Sequence, residues 1–306
     1  NVAADSIDSK LRSAAILLDL GSNAESREML PPADAVPPGL IPHANLLNGY
    51  LLLSEGKPSA AQTVFSSLLV DPYGQSIRRY NLAAIGMADS IADQGDTAAA
   101  MDSLFAFIQS RTETSRLAPM FRRINAWMPE KFLTADHPAL LKLAGWLPKT
   151  IPTASGFINV DAGTAAAAWP TATAPLTDLE TFATYTCAVA LRRVNTPSAR
   201  QESELLMQRL RLLAPSHFLI PKSLLTLAGW KLEDGLGDEA LALLDSLRRN
   251  AKSPRIEGEA AFSNALQAYR NGDAELAGSL FGEAAEFLEG DDREAAAFNA
   301  ALALSD

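Results

Sequence analysis

This sequence predicts an all-α chain: an α-α superhelix, or solenoid of helical hairpins, interrupted by one irregular insertion. Three observations carry that reading. Apolar residues recur at i, i+3, i+4 and i+7 through most segments, the spacing that gathers them on one face of a helix. The apolar fraction is 48%, dominated by alanine and leucine, with aromatics at only 7%. That mixture suits close-packed helices better than sheets, which draw on β-branched and aromatic residues. Turn glycines also recur, 39 residues apart from Gly56 to Gly95 and 37 apart from Gly235 to Gly272.

The elements follow in order. "SKLRSAAILLDLG", ending at Gly21, opens the helical pattern, and "ESREMLPP" after it reads as a degenerate partner. "HANLLNGYLLLSEG" and "AAQTVFSSLLV" form a pair around Gly56, and "YNLAAIGMADSIADQG" and "TAAAMDSLFAFIQS" a second around Gly95. "LLKLAGW", Leu140 to Trp146, closes the first half of the chain. In the second half come "TYTCAVALRR", "ESELLMQRLRLLAP", "LLTLAGW" (Leu224 to Trp230), "EALALLDSLRRN", "AAFSNALQAYRNG", "AELAGSLFGEAAEFL" and a closing alanine-rich run. Gly, Asp-Pro or a Ser/Thr cluster separates most of them, as helix stops and starts do. One short stretch, "GFINVDAG", is the only strand candidate.

The pairs share a rule. Each of Gly56, Gly95, Gly235 and Gly272 stands five residues before a small alanine: Ala61, Ala100, Ala240 and Ala277. A large apolar residue follows that alanine, four residues on, as at Phe65, Leu244 and Phe281; Phe107 marks the second pair. The first helix also carries a small residue, Gly49 in one pair and alanine in the others, Ala228 among them. A tight turn between antiparallel helices needs positive φ. Close helix approach needs a small side chain, and a large one fills the gap against the next hairpin. These spacings resemble the tetratricopeptide repeat family, best over residues 260–288 and next over 44–72, with periods of 35 to 39 in place of the family's 34. The resemblance implies a stack of hairpins whose first helices line a concave, partner-binding face.

Residues 147–176 break the rule. Pro148, Pro152, Pro170 and Pro175 exclude a continuous helix there. The chain therefore divides into hairpin repeats over 1–146, a Pro/Thr/Ala-rich insertion or linker over 147–176, and hairpin repeats over 177–306. Phe157 and Trp169 within the insertion favour packing or partner contact over a bare linker. The two LAGW copies, 84 residues apart, read as equivalent packing positions, with Ala-Gly admitting a neighbouring helix and the Trp capping the contact.

Charge and chemistry narrow the function. The net charge is −10, and no Lys/Arg run exceeds two, so the basic patch of a nucleic-acid binder is missing from the sequence. No run of about twenty apolar residues predicts a transmembrane helix. The single cysteine, Cys187, reads as a buried core thiol. His43, His137 and His217 are scattered, so no metal or cofactor is expected. "ADHP" reads as a helix-capping turn, "GLGDEA" as a hairpin turn, and the acids of "EDG" and "EGDDRE" as turn and helix-start residues.

The expected function is a non-catalytic scaffold for a protein or peptide partner, within a bacterial multiprotein or envelope assembly, with room for self-association. A periplasmic or envelope location is slightly favoured over the cytoplasm. Tyr50, Asp89, Tyr269, Arg270, Phe157 and Trp169 are the candidate contact residues. The alternative is an all-helical enzyme, or enzyme-associated domain, acting on cell-envelope polysaccharide through paired carboxylates.

Overall fold

Helices account for all the regular structure among the described residues of the computed structural model, which are 2–70, 76–110, 117–129, 133–147, 176–250 and 254–305. The chain forms two compact units, residues 1–145 and 146–306. The first holds α1 (Val2–Asp19), α2 (Asn23–Met29), α3 (Ile41–Ser54), α4 (Pro58–Leu69), α5 (Ile77–Ala92), α6 (Thr97–Gln109), α7 (Leu117–Trp127) and α8 (Pro138–Ala144). The second holds α9 (Asp178–Val194), α10 (Pro197–Leu213), α11 (Ile220–Glu233), α12 (Gly237–Asn250), α13 (Pro254–Arg270), α14 (Ala274–Phe287) and α15 (Gly290–Ser305). The strand candidate and most of the insertion, with Phe157 and Trp169, lie outside the described residues.

The hairpins α3–α4, α5–α6, α11–α12 and α13–α14 turn as expected. Gly56, Gly95, Gly235 and Gly272 all have positive φ, between 69° and 96°. In the first of these turns Gly56 N–H donates to the Leu53 carbonyl and Lys57 N–H to that of Leu52, both at 2.9 Å. That paired closure satisfies two carbonyls left over at the helix end. The other three turns repeat it, and so does Gly21. In two of these turns the residue after the glycine then caps the next helix: the Asp96 and Asp273 carboxylates accept from the N–H groups of Ala99 and Leu276.

The small–large rule is a packing rule. Ala61, Ala100, Ala240 and Ala277 are fully buried. Four residues later, Phe65, Leu244 and Phe281 fill the core, and in the second hairpin the filler is Leu104, not Phe107, which is only half-buried. Seven residues before each turn glycine sits the small residue of the first helix: Ala14, Gly49, Ala88, Ala228 and Ala265, all buried.

The pair expected to be degenerate obeys the same rule. Five residues after Gly21 stands Ser26, fully buried, and its hydroxyl donates to the Ala14 carbonyl at 2.7 Å. The two small positions thus touch across the turn. Leu30, four further on, packs on the Leu11, Ala14 and Leu47 cluster.

The two LAGW copies are not equivalent. Leu140 and Leu143 are buried in the first, and Leu227, Ala228 and Trp230 in the second. A Cβ on Gly229 would meet nothing within 4 Å, and one on Gly145 would meet only carbonyls of its own helix. Ala228 does pack, against Leu244 and Leu247 of its own hairpin and Ala260 of the next, but the glycine admits no neighbour.

Candidate functional site

In each unit, side chains on alternate helices come together. In the first unit, Tyr50 on α3, Asp89 on α5 and Arg123 on α7 form a line. The Tyr50 hydroxyl donates to the Leu82 carbonyl at 2.8 Å, and its ring meets Phe65 edge-on, centroids 5.1 Å apart. Burial first, and then the Asp89 charge, push its pKa well up, so it stays a neutral donor. Arg123 grips both Asp89 oxygens, Nε to Oδ1 at 2.6 Å and Nη2 to Oδ2 at 2.8 Å. Burial pulls the Arg123 pKa down, but the Asp89 bonds outweigh it and leave it raised. Tyr50 and Asp89 are therefore neighbours, and both spend their polar groups tying one hairpin to the next. Arg123 was missed in the sequence because α7 carries Pro119 and breaks the hairpin rhythm.

Tyr269 and Arg270 belong to the second unit. They occupy the last turn of α13, both exposed, three and two residues before Gly272 respectively. They border the turn and do not line the cleft described next.

The second unit carries an open cleft of about 360 Å3 on its first-helix face. Leu225 comes from α11, Glu259, Phe262 and Ser263 from α13, and Asp292 and Ala295 from α15; Leu288 closes one end. Leu225 and Phe262 each stand ten residues before a turn glycine, a register visible in the sequence but not used there. Arg255 lies across the lip, its Nε 2.9 Å from Glu259 and its Nη2 3.9 Å from Asp292. Asp292 also serves the first turn of α15, where its charge favours the positive helix end, as expected.

The other acid pair departs from expectation. Glu233 ends α11 and Asp234 is its C-cap, the negative end of that helix. Cations compensate. Arg192 on α9, only 8% exposed, reaches Asp234 at 2.8 Å, Glu233 at 3.3 Å and the Trp230 carbonyl at 3.2 Å. Arg200 on α10 meets Asp234 at 2.8 Å.

The remaining polar candidates are structural. His137 caps α8 by accepting from Ala139 N–H at 3.3 Å. Cys187 is fully buried, and burial, followed by the charge of Glu202, raises its pKa. Among the described residues there is no group of three or more His, Cys, Asp or Glu placed to hold a metal, and no helix long and apolar enough to cross a membrane.

No family model and no curated protein matches the chain. Two solved structures resemble it over nearly its whole length. A tetratricopeptide repeat protein from Parabacteroides merdae is 13% identical, with 98% of this chain and 99% of that chain covered and a TM-score of 0.47. The apo form of the quorum sensor NprR from B. thuringiensis is 14% identical, covering 99% and 81%, with a TM-score of 0.46. Within the chain itself, five turns share one closure, one small residue before them and one after. In turn and spacing these hairpins resemble tetratricopeptide repeats. The same spacing rule also sorts the surface: the helix faces carrying its small and large residues pack within and between hairpins, and the cleft lies beside them on faces the packing leaves open.

Proposed function

We propose that this chain is a non-catalytic scaffold that binds an extended segment or helix of another protein along the face formed by its first helices. One observation carries the reading: the first helices α11 and α13 of two successive hairpins, together with α15, line an open cleft with an apolar floor and a polar lip. A surface assembled from successive repeats suits an elongated partner, because each repeat adds contacts in register. The cleft's two carboxylates are spanned by the Arg255 guanidinium, which favours recognition over acid–base work.

The test is site-specific photo-cross-linking. A photoreactive residue at Tyr269 or Arg270, beside the first-helix face, should capture a partner in cells. The same residue at Thr63 on α4 or Leu276 on α14, both exposed on second helices, should not. Capture from the second-helix positions alone would sink the proposal.

A further inference from the structure

We infer that the cleft of the second unit receives a basic amphipathic segment of the partner, with a bulky apolar side chain on the floor and a Lys or Arg at the lip. This deepens the scaffold reading and rests on it. The floor is apolar: Leu225, Phe262, Leu288 and Ala295. The charged groups lining the cleft are Glu259 and Asp292, both acidic, and no lining residue is basic. Glu289 acts on the same Arg255 guanidinium from nearby. Two carboxylates thus hold one guanidinium at this lip, with the Glu289 charge acting on it as well.

Arg255 shows what the lip accepts. It bridges the two carboxylates, yet its side chain is 73% exposed. Ion pairs this open to water contribute little, so an incoming cation displaces Arg255 at small cost and inherits both carboxylates. A bidentate Arg from the partner does so with its stem lying along Phe262. The volume sits at the low end for ligand pockets, room for one or two side chains. Lys222 and Arg293 are exposed nearby but line no part of the cleft.

The experiment uses the full chain and fluorescein-labelled twelve-residue peptides, read by anisotropy at about 0.15 M salt, where exposed charges beyond roughly 8 Å are screened. One peptide carries Leu and Arg at helical spacing. A second replaces Arg by Glu, and a third replaces Leu by Ser. The Leu/Arg peptide should bind at least about tenfold tighter than either, a difference of about 1.4 kcal/mol. The double variant E259Q/D292N should lose about tenfold, while R255A should tighten binding severalfold by freeing both carboxylates. R293A makes the same change in net charge on a residue outside the cleft and should leave binding unchanged. Equal tightening by R293A and R255A, no loss in E259Q/D292N, or no peptide binding at all would each overturn the inference. If the peptides fail while cross-linking at Tyr269 or Arg270 persists, the scaffold reading stands and only this assignment falls. Circular dichroism of each variant checks that the fold is kept.

Discussion

Phe65 is fully buried, and its ring fills the space that side chains on Gly49 and Gly86 would need. A Cβ on Gly86 would come within 2.3 Å of the ring, and one on Gly49 within 2.6 Å. Pinned from both sides, the ring cannot retreat. Gly86→Ala gains about 1 kcal/mol of helix propensity, but overpacking costs up to about 3 kcal/mol, so a net loss of about 2 kcal/mol is expected in urea unfolding. Gly229→Ala makes the same exchange in open space and should stabilise by up to about 1 kcal/mol. A second residue sets a pH dependence. Burial first raises the Glu202 pKa from 4.5 to about 7, only partly offset by Arg209, which burial in turn lowers to about 10. Between pH 4.5 and about 7 the folded chain keeps a proton that the unfolded chain releases. The contribution is whole below about pH 4.5 and is lost as pH rises through about 7, a change on the order of 3 kcal/mol. Arg209 stays charged across this window. His43 and His217, lowered chiefly by burial, push stability the opposite way with pH. Subtracting the E202Q profile from that of the parent chain isolates Glu202. The difference should favour the parent near pH 4 and E202Q near pH 8, and a flat difference would refute the assignment.

At the scale of elements, most hairpins were legible because their rule is local: a glycine, with small residues seven before and five after. Where one member changes type, the signal fades although the physics persists. Ser26 replaces alanine in the first hairpin and recovers the contact through a hydrogen bond. The α9–α10 hairpin turns on Asn195, a non-glycine residue at φ 62°, so glycine spacing missed it. The LAGW copies misled in the other direction, since identical letters met different neighbours. Pairings across elements were not legible at all, because nothing local announces a partner 34 or 42 residues away, as for Asp89–Arg123 or Arg192–Asp234. The Arg192 contacts tie α9 to the end of α11, and breaking a buried pair costs about 3–5 kcal/mol. Arg192→Ala should fall at or below the low end, about 2–3 kcal/mol, because Asp234 keeps Arg200. Asp234→Ala should cost more, because it leaves the buried guanidinium with only exposed Glu233 and the Trp230 carbonyl. Urea midpoints of the two variants give the order directly.

At the scale of the molecule, stability in a hairpin stack is a sum of each repeat and its interfaces with neighbours. The clusters around Leu11 and Phe65 lie wholly within residues 1–145. Those around Ala228, Ala261 and Phe281 lie wholly within 146–306. The ion pairs at Asp89, Asp102, Glu204 and Asp234 likewise close within one unit. The cleft was not legible at this scale because its members, Leu225, Phe262 and Asp292, meet only when two hairpins and α15 stack. Each unit, at about 150 residues, is within the size range of independently stable domains. Residues 1–145 and 146–306, made separately, should therefore each fold to a helical monomer with a cooperative thermal transition. Gly86→Ala should lower the transition of the first fragment by the same free energy as in the whole chain, and Arg192→Ala that of the second. Calorimetry on the two fragments checks this. A fragment that melts without a heat-capacity peak would show that its core is completed by residues outside it, and that the hairpin clusters do not suffice.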